Sequence, residues 1–233
     1  MVKKIRVAIL DDHQAIIDGY LYRIKSALDI EIVAALLYGE DLEKTLSDQA
    51  VDLLLLDLQL PISPDNPNPF PVLHELPRLL QAYPSLSVLV ISMHAQPALI
   101  QSVMEAGASG YILKDDVTAF RELAGIIRSV AGQGIYLSPG AYQALRKRKN
   151  GESIHTLSAR QLEALSLCAA YPDASTAELS PKMNISHSTF RNLLSGAYIK
   201  LNVRNRTAAV LKAEQTGLLP PRTMSAQTER LDE

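Results

Sequence analysis

Residues 51–61 read VDLLLLDLQLP, an unbroken apolar run that ends on the carboxylate of Asp57 and is closed by Pro61. Leu53 to Leu56 show no polar face, which is the pattern of a strand buried on both sides, as in a parallel sheet covered by helices. Asp57 follows where such a strand emerges into a loop. Open parallel sheets bind their ligands at the C-terminal strand ends, so this carboxylate is badly placed for packing and well placed for chemistry.

Working outward from this strand, the same pattern recurs. Ile5 to Leu10 is a β-branched and apolar run that ends on Asp11 and Asp12, followed by Ile16, Ile17, Leu21, Ile24 and Leu28 at helical spacing within Ala15 to Leu28. Ile30 to Leu36 reads as a second strand and Asp41 to Asp48 as a short helix. Beyond Asp57 come a strand over Val88 to Ser92, a helix over Pro97 to Ala106, a strand over Gly110 to Leu113 ending at Lys114, and a helix over Val117 to Ala131. Strands alternating with helices in this rhythm predict an α/β, doubly wound, five-stranded parallel sheet.

The strand ends then bring Asp11, Asp12, Asp57, Ser92 and Lys114 to one edge. Three converging carboxylates repel one another unless a cation neutralises them, and an oxygen-seeking ion such as Mg²⁺ suits that set. An ammonium and a hydroxyl beside them suit the oxygens of a phosphoryl group. The set makes sense as a phosphoryl-accepting site with Asp57 as the nucleophile.

Charge divides the chain into two parts. Residues 1–143 hold 10 Lys and Arg against 17 Asp and Glu, a net of −7; residues 144–233 hold 13 against 8, a net of +5. A basic second part is compatible with a polyanionic partner. Cys168 is the only cysteine, which excludes an internal disulfide and a cysteine-rich zinc site and points to a reducing compartment. No apolar run is long enough to span a bilayer, and the N-terminus turns acidic within a dozen residues, unlike a signal peptide. The expectation is a cytoplasmic chain with no membrane partner.

The second part is helical in pattern from Leu157 to Val210. Ser158-x-x-Gln161 and Ser175-x-x-Glu178 are capping boxes that mark two helix starts, and Leu157, Leu162, Leu165 and Leu167 supply an inner stripe. A short helix, a turn at Ile185-Ser186 and a helix continuing to Leu201 give helix-turn-helix spacing, closed by a fourth helix over about Arg206 to Thr216. The stretch after Gly134 reads as a short helix followed by a linker that holds the basic run Arg146 to Lys149 and the Asn150-Gly151 turn, and the segment from Pro220-Pro221 onward as a disordered tail.

The segments DDHQAIIDG, LLLLDLQLP, VISMH and GASGYILKDD, in order and at these spacings, resemble those of bacterial two-component receiver domains. LSARQLEAL, STAELSPKMNIS and STFRNLLSGAYIKLNVRNRTAAV resemble the LuxR-type DNA-binding domain of NarL/FixJ-class response regulators. The resemblance implies a receiver over 1–132, a linker over 133–153, a small all-α four-helix domain over 154–219 and a tail over 220–233. It implies Asp57 as phosphoacceptor, with Asp12, Asp57 and the Gln59 carbonyl binding Mg²⁺ and Asp11 supporting the metal through water. Ser92 and Tyr111 resemble the switch pair and Lys114 the phosphoryl-contacting lysine, while Gln59 and His94 occupy positions that tune acyl-phosphate lifetime. On the output side it implies Arg191, Asn192 and Ser195 in the major groove and Thr189, Lys200 and Arg204 near the backbone of double-stranded DNA. Its implied partners are a sensor histidine kinase as phosphodonor and a second copy of the chain when active.

Such a chain is a regulator rather than an enzyme; an aspartyl-nucleophile phosphatase of the haloacid dehalogenase type wants an acid two residues after the nucleophile, where Gln59 stands. Departures keep a second reading open, in which the helical domain serves protein–protein interaction. His187 stands where an acidic residue is common, Leu193 replaces a histidine, Phe190 replaces a β-branched residue, and Pro181 falls inside the short helix. After Asp57, the stretch Ile62 to Pro71 is lengthened and free of glycine, and holds Pro64, Pro67, Pro69 and Pro71. It reads as a stiff loop overhanging the site, with Pro77 interrupting the next helix near its start.

Overall fold

The computed structural model describes residues 4–148 and 157–221. The Asn150-Gly151 turn, the end of the basic run and the tail beyond Pro221 lie outside these residues. Six parallel strands form one sheet: β1 (Ile5–Leu10), β2 (Ile30–Leu36), β3 (Leu53–Leu56), then Ser87–Ser92, Gly110–Leu113 and Tyr136–Leu137, in the order second, first, third, fourth, fifth, sixth by position in the chain. β3 lies at its centre with all four leucines buried. They alternate between faces: Leu54 and Leu56 join one core cluster, Leu53 and Leu55 the other. Each buried leucine contributes about 1.5–3 kcal/mol.

The helices follow the expected order with corrected bounds. α1 covers Gln14–Ile24 and α2 Asp41–Asp48. Leu28 lies beyond α1 and is exposed, and the inner stripe of α1 is Ile17, Tyr20 and Ile24. The single helix expected over Val117 to Ala131 is two, Val117–Arg121 and Leu123–Ala131, with a break at Glu122.

The proline-rich stretch is not a loop. It forms an antiparallel hairpin of β4 (Pro61–Ser63) and β5 (Asn66–Pro69), with Pro61 opposite Pro69. Proline is tolerated because a two-stranded ribbon leaves one edge of each strand unpaired. The Gly39 and Glu40 amides donate to the carbonyls of Pro61 and Ile62, and the Phe70 amide donates to Leu60 at the hairpin's base. Gly39 is required there, since a Cβ would sit 2.1 Å from the Phe70 ring. α3 (Val72–Ala82) follows directly and runs on through Pro77, where the expected interruption does not occur. The helix instead forgoes one backbone bond.

The remaining strands of the main sheet are labelled β6 (Ser87–Ser92), β7 (Gly110–Leu113) and β8 (Tyr136–Leu137). α4 (Pro97–Glu105) precedes β7; α5 (Val117–Arg121) and α6 (Leu123–Ala131) follow it. The sixth strand corrects the expected five. Within the stretch expected to be a short helix and linker, α7 (Pro139–Arg148) is that helix, and both it and β8 pack on the first unit: β8 pairs with β7, the Ser138 amide donates to the Tyr111 carbonyl, and α7 packs on α4.

The second unit consists of α8 (Ala159–Ala170), α9 (Thr176–Leu179), a 3-10 turn (Ser180–Met183), α10 (His187–Leu201) and α11 (Arg206–Gln215). Both capping boxes form. Pro181 does not sit inside the α-helix. The α-helix stops at Leu179 and Pro181 lies at the start of the 3-10 turn, where its missing N–H has no intrahelical partner to lose. Asn184, left-handed at φ 53°, turns the chain into α10.

The two units share a face. One apolar cluster runs from Leu54 and Leu56 through Leu76 and Leu99 to Leu162, Leu165 and Phe190. Among the described residues, the opposite face of the sheet is closed by α1, α5 and α6.

Candidate phosphoacceptor site and nucleic-acid interface

Asp57 emerges from β3 only 5% exposed, its amide bound to the Leu10 carbonyl at 2.9 Å. Its Oδ1 accepts the Leu58 amide at 2.7 Å, and its Oδ2 accepts Lys114 Nζ at 2.9 Å. The same ammonium donates to Asp11 Oδ2 at 2.7 Å, so one buried cation bridges the carboxylates of two strand ends. Burial pushes the Asp57 carboxyl up to about 6, with Lys114 pulling it down and Asp11 adding to the rise. Burial opposes the Lys114 charge, but Asp57 and Asp11 prevail and hold its affinity for the proton above the ordinary value.

Asp11 is buried and Asp12 lies at the rim. Asp11 Oδ1 accepts the His13 amide at 3.0 Å, and Asp12 Oδ1 meets His13 Nδ1 at 2.6 Å. Asp11, Asp12 and His13 offer ligand atoms within 4.8 Å of one another. With Asp57 the carboxylates outnumber Lys114 by two charges, which suits a divalent, oxygen-bound cation. Gln59, two residues after Asp57, is half-buried.

Ser92 closes β6 fully buried, its Oγ accepting the His94 amide at 3.3 Å. The Tyr111 hydroxyl is turned inward, donating to the His94 carbonyl at 2.7 Å. Ser92 and Tyr111 therefore both hold the β6–α4 loop, and the Lys114 backbone N–H donates to the Ser92 carbonyl at its base. Burial, then the Lys114 charge, lower the proton affinity of His94.

The sequence reading passed over Tyr20. Its hydroxyl donates to Asp11 Oδ2 at 3.3 Å and its ring stacks on Phe120 at 5.8 Å. Its place on the inner stripe between Ile17 and Ile24 was the available signal, since a buried tyrosine needs a partner for its hydroxyl.

In the second unit Arg191, Asn192, Ser195 and Arg204 are exposed, and the first three share one face of α10 by their spacing. Thr189 belongs to the cap of α10, its Oγ1 2.8 Å from Ser186 Oγ. Lys200 is drawn back to Gln161 Oε1 at 3.0 Å instead of standing on the open face. Phe190 is buried, and Leu193 half-buried against the domain's own core. Arg206, also passed over, is structural: its guanidinium donates to the carbonyls of Ala174, Tyr171 and Cys168 and ties α11 to the end of α8.

Comparison with known proteins matches each of the two units to a family. Residues 7–124 match the family model described as response regulator receiver domain, and residues 155–213 that of bacterial regulatory proteins, luxR family. The transcriptional regulatory protein DegU of Brevibacillus brevis is 28% identical over 235 residues, covering 92% of this chain and 94% of the relative. The response regulator UvrY of Escherichia coli K12 is 26% identical over 228 residues, covering 96% and 100%. Among solved structures, RcsB of Salmonella enterica serovar Typhimurium, bound to the rprA promoter with a BeF3⁻ phosphomimetic, has a TM-score of 0.64 at 21% identity, covering 90% and 98%. Among the described residues no helix is long and apolar enough to cross a membrane.

Proposed function

The chain belongs to the two-component response regulators that join a receiver to a LuxR-type DNA-binding domain, and we propose that it controls transcription in the bacterial cytoplasm through phosphorylation of Asp57. The observation that carries this reading is the Lys114 ammonium held between Asp57 and Asp11. It is a cation already placed for phosphoryl oxygens beside a carboxylate that burial has made basic.

Asp57 Oδ forms a bond to phosphorus as the bond from phosphorus to the kinase's imidazole nitrogen breaks, and the imidazole keeps that electron pair. Lys114 releases Asp57 and takes a phosphoryl oxygen while retaining Asp11. Asp11, Asp12, Asp57 and the Gln59 carbonyl would hold Mg²⁺, which neutralises charge between the carboxylates and the incoming group when bound. The β6–α4 loop, held by Ser92 and Tyr111, responds to the new charge and biases the contacts of the output domain.

The output reading rests on the open face of α10. Arg191 suits guanine and Asn192 adenine, with Ser195 beside them; Arg204 and Thr189 suit phosphates. Of the residues that favoured a protein-binding role, Leu193 packs half-buried against the domain's own core, and Pro181 stands at the start of the 3-10 turn. A two-fold DNA site and a dimer on it follow from the usual geometry of such helices. Duplex binding that weakens with salt and is lost in an Arg191→Ala/Arg204→Ala variant tests this half; salt-independent or unchanged binding would contradict it.

A further inference from the structure

We propose that the hairpin Pro61–Pro69 and α3 form one arm that docks the output domain through α8 and carries the state of Asp57 to it. The arm begins at the phosphoacceptor. Asp57 Oδ1 holds the Leu58 amide, and Leu58 and Leu60 are buried at 1% and 0% exposure, so the link to Pro61 has no slack. The Phe70 amide closes the hairpin onto Leu60, and the other side of the ribbon is fixed to Gly39 and Glu40. A closely packed connection transmits a shift because it cannot absorb one.

The far end meets the output domain. Pro71 leads into α3, whose His74 is 1% exposed and places Nδ1 2.9 Å from Oε1 of Glu163 on α8. These residues lie 89 positions apart, and no local geometry explains the pairing. Arg160 holds the second Glu163 oxygen at 2.9 Å, which aims the carboxylate. The groups facing His74 are Glu163 from α8 and Glu75 of α3 itself, whose Oε1 lies 3.7 Å from Nε2. β5 also borders α8, so hairpin and helix grip the same element. A buried polar pair across an interface penalises any arrangement that leaves one member alone, and so specifies how the domains meet. Arg191, Asn192 and Ser195 stay exposed in the docked arrangement. Docking therefore sets where the DNA-reading helix is held and leaves its face open.

The conduit half of this inference rests on Asp57 being the phosphoacceptor; the docking half does not. Small-angle X-ray scattering on the full chain, with and without acetyl phosphate and Mg²⁺, tests both. It would compare wild type, Glu163→Gln, and a variant with residues 62–70 replaced by a short glycine-containing loop, with phosphoryl incorporation measured by mass spectrometry in each. Docking predicts a compact unphosphorylated wild type and a shift to larger radius of gyration in both variants. The conduit predicts that phosphorylated wild type shifts too, and that phosphorylation adds nothing further in the loop-replaced variant. Unchanged scattering in the conservative Glu163→Gln variant would overturn the docking. Phosphoryl incorporation in wild type without any shift would overturn the conduit while leaving the phosphoacceptor in place; no incorporation would remove the phosphoacceptor and the conduit together and leave the docking standing.

Discussion

The two faces of the receiver sheet are finished differently. On one, Leu53, Leu55 and Ile112 are covered by α1, α5 and α6, and the cluster ends there. On the other, Leu54 and Leu56 begin a cluster that continues through α3 and α4 into α8 and α10. Neighbouring residues of one strand thus serve two purposes: one face stabilises the receiver, the other also connects it to the domain that acts. Asp57 follows both, at the strand's end. Its carboxylate faces Lys114 and Asp11, and its backbone leads into the hairpin.

The largest expected effect falls on the closed face. Leu55→Ala removes a side chain that is 1% exposed and is expected to cost about 2–5 kcal/mol in denaturant unfolding. It should leave the scattering of the folded chain unchanged. A change in domain arrangement from Leu55→Ala would erase the distinction between the faces.

Next comes the pH dependence of the site between them. The folded-state value for Asp57, about 6, lies above the ordinary 3.8 of an aspartate. Its contribution to stability is therefore fully present below about pH 4 and is lost as pH rises through about 6, by up to about 3 kcal/mol for the metal-free chain. Asp57→Asn is expected to flatten the thermal stability of metal-free protein across that window. An equally steep profile in the variant would mean that burial is not what makes this carboxylate basic.

On the open output face the effect shifts from stability to binding. Arg191 is exposed and makes no described contact with the core. Arg191→Ala is expected to weaken binding to a cognate duplex by about 1–3 kcal/mol, read by fluorescence anisotropy, with the melting temperature unchanged. Lys200→Ala should do less to DNA, because its ammonium is engaged with Gln161. An effect as large as that of Arg191 would return Lys200 to the DNA-facing set.

How much of this was legible depended on whether a signal was local. Leu53 to Leu56, the acidic pair and Lys114 each sit at a strand end, and a strand's burial and terminus are written in a few consecutive residues. The capping boxes at Ser158 and Ser175 were legible for the same reason. The hairpin was not, because Pro64, Pro67 and Pro69 read as a stiff loop, whereas only the inner edges of a two-stranded ribbon must donate. β8 is two residues long and is held by pairing with β7, about 26 positions earlier, so it read as linker. His74 and Glu163 are ordinary residues on two amphipathic helices until the fold brings them together.

The most direct measurement of the central claim is acetyl phosphate treatment with Mg²⁺, followed by mass spectrometry and a duplex-binding titration, on wild type and Asp57→Asn in parallel. The account predicts one added phosphoryl group and a changed DNA affinity in wild type, and neither in the variant. Equal phosphorylation of Asp57→Asn, or a phosphorylated wild type whose DNA affinity does not move, would contradict it.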